Sequence, residues 1–270
     1  MSRNQPRRKS LVAVEPLEGR ALLAAGASPF AQLSALVRPS LSLPGVKTDP
    51  AAVAAIMAAL NGGAGSEFVT LLRRQAPNLN AVIAGFISGK TTQFTTPGIV
   101  AKIPKFQEGF TGRRYDHLSA TLAGAVVLPK NTLELAMVTR GPFDEAVPGY
   151  VVFGLDRGAG ARRGPIFSSR PGITPDALVT VKVGPYGKGS TAFVTDLTTG
   201  KTTALDPSKI QVQGAVVRVF VDLSKLPSQG RPANAYRFAA WTRSDLTGGI
   251  QNVGSFVAET TMTPVGVLKP

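Results

Sequence analysis

Few residues in this chain are of a type that does chemistry unaided. Cysteine is absent and His117 is the single histidine. Thiol catalysis, disulfide frameworks, cysteine zinc sites and any site needing two imidazoles are therefore excluded. A Ser-His-Asp arrangement would have to be built around His117, and no G-x-S-x-G elbow accompanies it. Carboxylate chemistry is what remains. Two acids held about 5 to 10 Å apart can cleave a glycosidic bond, and such a site would draw on Glu134 or Glu259. Calcium needs several hard oxygen ligands. Asp144, Glu145, Asp156 and Asp176 could supply them at one end of a sandwich, with Asp156 and Asp176 the metal candidates, though no EF-hand or nonapeptide spacing accompanies them. Phosphate loops fail on spacing: Gly184 to Gly187 is too short for G-x-x-x-x-G-K-[ST], and the glycines from Gly158 to Gly164 lack the dinucleotide pattern. No cofactor is expected beyond the calcium alternative.

Recognition by charge and aromatic surface is the other chemistry on offer. Lys and Arg total 30 against 16 Asp and Glu, a net charge of +14, which attracts anionic polymers regardless of sequence. No zinc finger, helix-turn-helix or RNP-like pattern is present, so nucleic acid is not the expected partner. Around the sole tryptophan, strand alternation sends Tyr236, Phe238 and Ala240 to one side and Arg237, Ala239 and Trp241 to the other, with Arg243 beyond. If that second side faces solvent, Arg237, Trp241 and Arg243 make a platform for an acidic saccharide, with Arg162 and Arg163 as further cations. If it faces inward, Trp241 fills the core and the arginines cap its edge.

The elements that must carry these residues are mostly strands. Hydrophobic residues make up 43 % of the 270 and charged residues 17 %, ordinary for a folded core. From about Tyr115 the apolar period is 2, as in Leu118, Ala120 and Leu122. Similar runs recur over 132–139, 150–155, 177–183, 191–197, 202–205, 209–213, 215–222, 235–241 and 254–261, with hairpin turns at Thr199-Gly200 and Gly214. No helical pattern separates them, so the expected fold is mainly β, an antiparallel sandwich of jelly-roll type over 110–270. The loop from Asp156 to Asp176 is longer than a simple connection requires.

Upstream, the apolar period is helical. Asp49 and Pro50 open a stretch with Val53, Ile56, Met57 and Leu60 on one face, and two further short amphipathic stretches run to Gly89. The expected organisation is a leader over 1–28, a linker over 29–48, a small helical subdomain over 49–90, a connector over 91–109 and the sandwich. No apolar run is long enough to span a bilayer as a helix.

Two resemblances bear on location and fold. Arg7, Arg8 and Lys9 precede Val14, Glu15, Pro16, Leu17, Glu18, Gly19, Arg20, Ala21, Leu22 and Leu23, and this segment resembles the LEPR-XLL type N-terminus of exported planctomycete proteins. The resemblance implies export or surface association and says nothing of chemistry; charge alone could also bind such a tail to anionic lipid. Tyr150 to Asp156, the long loop and Asp176 before Ala177-Leu178-Val179 look like the centre of DOMON-like and carbohydrate-binding sandwich modules. That resemblance implies an extracellular binding module, with calcium or haem in some members. Here Arg157, Arg162, Arg163 and Arg170 stand where such modules often carry Asp and Asn, and haem would have only His117. The expectation is an exported or cell-surface, non-enzymatic protein whose sandwich binds a glycan or other envelope component, an acidic polysaccharide above all. The alternatives are an interaction module acting through 49–90 and an acid-pair glycoside hydrolase.

Overall fold

A computed structural model describes residues 93–102, 118–141, 143, 149–159, 167–244, 246, 253–258 and 260–267. The leader, linker and helices expected over 1–90 lie outside the described residues, as do Asp144, Glu145, Arg162, Arg163, Glu259 and His117.

Among the described residues, fourteen strands form two sheets that share one hydrophobic core. The first sheet contains β1 (Gln93–Thr96), β2 (Ile99–Lys102), β3 (Ala120–Leu128), β4 (Thr132–Thr139), β9 (Ile210–Gln213), β10 (Val216–Asp222) and β14 (Gly266–Val267). Its order is β1-β2-β3-β4-β10-β9, with β14 beside β3. The second contains β5 (Gly149–Asp156), β6 (Ala177–Val183), β7 (Thr191–Asp196), β8 (Thr202–Ala204), β11 (Arg237–Arg243), β12 (Val253–Val257) and β13 (Thr263–Pro264). It runs β12-β11-β5-β6-β7-β8, with β13 beside β11. Among the described residues every pairing is antiparallel except β14 on β3. Each sheet is thus a four-strand meander with later strands added at one edge, which departs from the paired Greek keys of a jelly roll. Short links between consecutive strands make neighbours of them.

Strand formation follows from the period. In β10, Val217, Val219 and Val221 are buried while Val216, Arg218 and Phe220 are half-buried. Cross-strand register stacks Val217 on Met137, Val219 on Leu135 and Val221 on Leu133. From the other sheet, Val151, Phe153 and Leu155 pair with Val181, Val179 and Ala177 to form the facing wall. Burying each such side chain contributes about 1.5–3 kcal/mol. Where the sheets come close, small residues serve, and the Ser255 hydroxyl donates to the Ala120 carbonyl at 3.3 Å.

The sandwich begins earlier than the sequence boundary. The span 91–109, read as a connector, holds β1 and β2, which form a hairpin over Pro97 and Gly98. Gly98 has φ 82°, a conformation glycine adopts without penalty. All four residues of β2 are buried, so no alternation marked it as a strand.

Candidate functional site

Asp156 ends β5 and Asp176 precedes β6, so the antiparallel pairing of those strands brings the two acids to one end of the sandwich. Between them sits Arg157, whose side chain is fully buried. Its Nε–H donates to Asp176 Oδ1 at 2.7 Å, and NH2 donates to Asp196 Oδ2 at 3.0 Å and to the Asp176 carbonyl at 3.2 Å. NH1 donates to the Pro227 carbonyl at 3.2 Å. Backbone donors fill the rest: the N–H groups of Arg157 and Ala159 reach Asp176 Oδ2 at 2.8 and 3.0 Å. Asp156 accepts from Gly158 N–H at 2.9 Å and faces Arg231 Nε at 3.3 Å.

Asp156 and Asp176, the two metal candidates, have guanidinium and backbone N–H partners, donors that occupy the directions a cation's ligands would use. Among the described residues, no group of three or more His, Cys, Asp or Glu converges for a metal. The cluster is instead a staple joining the ends of β5, β6 and β7 to the segment between β10 and β11. Burial disfavours the charge on Arg157, but its hydrogen bonds and attraction to Asp176 and Asp196 outweigh this and raise its pKa. For Asp196, burial pulls upward, while hydrogen bonds from Thr198 and Arg157 prevail and hold it at about 2. Tyr236 completes the joint by donating to the Leu226 carbonyl at 2.9 Å, and burial raises its pKa.

Trp241 does share a face with Arg237, as alternation requires, and it belongs to the hydrophobic core. It pairs with Val152, and Ala239 with Gly154, on the side opposite Phe153 and Leu155. The platform is not an open one, however: Trp241 is 1 % exposed. The loop before β6 covers it. Phe167 meets the indole edge-on with centroids 5.7 Å apart, and Phe256 lies against it at 5.5 Å. Pro175 fills the space over Gly154, where a Cβ would lie 3.1 Å from it. Arg170 caps the trio, its guanidinium 4.0 Å from the Phe256 ring centre. Arg237 is exposed and Arg243 half-buried. Of the two alternatives read from the sequence, the structure shows the second: Trp241 is buried in the hydrophobic core, and among the described residues no open aromatic platform stands beside Arg237.

Glu134 is 1 % exposed, with Arg218 NH1 at 3.7 Å from its Oε1. A buried acid facing an arginine is the pairing that charge burial demands. The acids of the described residues divide into two sets. Glu134, Asp156 and Asp176 lie buried against Arg218, Arg231 and Arg157. Asp196, Asp206 and Asp222 accept backbone N–H groups of the turns they open, from Thr198, Ser208 and Ser224. These hydrogen bonds lower the pKa of Asp206 and Asp222. Lys130, Lys182, Lys188, Lys201, Lys209 and Lys225 are exposed, and none is ion-paired among the described residues. Among the described residues the exposed charge is that of these six lysines and Arg237, set against the exposed carboxylates of Asp206 and Asp222, which attract Lys209 and Lys225. Sequence reasoning found the net charge but missed this division, which depends on knowing which acids are buried.

Compared with protein-family models and with curated proteins, the chain matches none.

Proposed function

We propose that this is an exported or cell-surface, non-enzymatic protein whose sandwich binds an acidic glycan or a comparable anionic component of the envelope. One observation carries the reading. Among the described residues three acids are buried against arginines and only Asp206 and Asp222 are exposed, whereas six lysines stand exposed, of which Lys130, Lys182, Lys188 and Lys201 have no ion pair with a described acid. Such a surface attracts a polyanion and costs little desolvation of pre-formed ion pairs on binding. The N-terminal resemblance to LEPR-XLL segments supports the location, and a DOMON-like kinship belongs to the same reading as a proposal about ancestry.

Affinity electrophoresis of the full chain tests the binding half. Retardation in gels containing polygalacturonate or dextran sulfate, with free migration in neutral dextran, is expected. Equal mobility in all three gels would overturn it. Fractionation of the native cells tests the location: the protein is expected in the envelope or outside fraction, and full-length chain free in the cytoplasm would refute export.

A further inference from the structure

The turn from Gly184 to Ser190 joins β6 to β7 and holds the most exposed large hydrophobic residue of those described, Tyr186, at 62 %. Its backbone sits in the left-handed region, φ 54° and ψ 27°. A bulky non-glycine residue is seldom found there, and such strain persists only where its surroundings enforce it. They do so here. Pro185 fixes the preceding φ. The Ser190 hydroxyl accepts from Gly184 N–H at 3.2 Å and donates to the Gly187 carbonyl at 2.9 Å. The Lys188 N–H closes onto the Pro185 carbonyl at 3.0 Å. A side chain at Gly184 would place Cβ 1.9 Å from the Lys188 carbonyl oxygen. The result is an aromatic ring held into solvent on a braced turn, a position no core packing explains.

The neighbouring charges suit that ring to a particular ligand. Lys188 lies on the same turn and Lys182 two residues before it, both exposed. Strand register then sets Thr191, Lys182, Tyr150 and Arg243 side by side across β7, β6, β5 and β11, on the outward face of the second sheet. Directly opposed side chains on one face lie about 4.5–5.5 Å apart at Cβ.

We propose that this end of the β6–β7 hairpin is the contact site for an anionic polysaccharide. The Tyr186 ring stacks on the apolar face of one sugar, and Lys182 and Lys188 meet the carboxylate or sulfate groups of its neighbours. The proposal rests on the binding reading above and narrows it to one place. Single-stranded nucleic acid is the less fitting polyanion, because it is gripped by successive aromatic platforms and by arginine forks on phosphate. The turn instead presents one ring flanked by lysines.

The test compares full-chain variants for retention on polygalacturonate and dextran sulfate, with a poly-dT oligonucleotide in parallel. Tyr186→Gly is compatible with the left-handed backbone, so it should raise the melting temperature while weakening polysaccharide binding about tenfold, as expected for losing one stacking contact. The pair Lys182→Gln and Lys188→Gln should weaken it at least as much. Lys130→Gln with Lys201→Gln removes the same charge from turns at the opposite end of the sandwich and should change it little. Equal losses in the two lysine pairs would overturn the site while leaving charge-driven binding intact. So would unchanged binding in Tyr186→Gly, or tighter binding of poly-dT through the same residues. If the wild-type chain binds neither polysaccharide, the parent reading falls together with the site.

Discussion

Replacing Arg157 by methionine keeps most of the side-chain volume and removes the guanidinium from the joint between the ends of β5, β6 and β7 and the segment before β11. The change deletes four hydrogen bonds: to Asp176 Oδ1, Asp196 Oδ2, and the carbonyls of Asp176 and Pro227. Asp176 is then left charged at 4 % side-chain exposure. Breaking a buried pair in this way typically costs 3–5 kcal/mol. Asp176 keeps two backbone N–H donors, which places the expected loss near the lower end, at about 3 kcal/mol. Asp196 adds little, since its side chain still reaches water. For a domain with roughly 5–15 kcal/mol of stability, that loss is a large fraction. Urea unfolding followed by Trp241 emission measures it, because the single tryptophan is buried beneath the loop that Arg157 helps anchor. Arg231→Ala is the control: its ion pair with Asp156 is more than a third exposed on the arginine side and should be worth less than about 1 kcal/mol. A loss below about 1 kcal/mol for Arg157→Met, or equal losses in the two variants, would refute the staple.

Three further outcomes follow from the same geometry. Tyr236→Phe removes the donor to the Leu226 carbonyl and should cost about 1–2 kcal/mol in the same unfolding assay; no change would mean that bond is not maintained in solution. Asp196 has a folded pKa near 2, below the roughly 3.9 of an unfolded aspartate, so its contribution is complete above about pH 4 and is lost as pH falls through about 2. The stability difference between wild type and Asp196→Asn should therefore shrink across that window, and a difference constant from pH 6 to pH 2 would contradict the assignment. In the β6–β7 turn, Gly184→Ala should destabilise by about 1–3 kcal/mol because its Cβ meets a backbone carbonyl, whereas Tyr186→Gly should stabilise by about 1 kcal/mol. Calorimetric melting of both variants checks the opposite signs.

Much of the sheet structure was legible. The runs at 132–139 and 177–183 coincide with β4 and β6, and the turns at Gly200 and Gly214 adopt positive φ of 76° and 56°. These strands alternate or carry β-branched residues between clear turn signals. The hairpin β1–β2 escaped because its strands are four residues long and β2 is buried throughout. Strands β13 and β14 escaped because two residues carry no period. At the site, alternation placed Trp241 and Arg237 on one face. It could not say that Phe167 and Pro175 would close over that face, since a contact between distant segments leaves no local pattern. The pairing of Asp176 with Arg157 was hidden for the same reason: both residues were visible, one as a metal candidate and one as loop charge, and only the β5–β6 register joins them.

Equilibrium binding of the full chain to a carboxylated polysaccharide across a salt series tests the central claim most directly. The exposed lysines predict saturable binding at low salt that weakens steadily as the Debye length shortens from about 10 Å at 0.1 M to about 3 Å at 1 M. Contact at the Tyr186 turn predicts a residual affinity at the highest salt. Failure to saturate at low salt, or equal affinity for a neutral polysaccharide, would contradict the account.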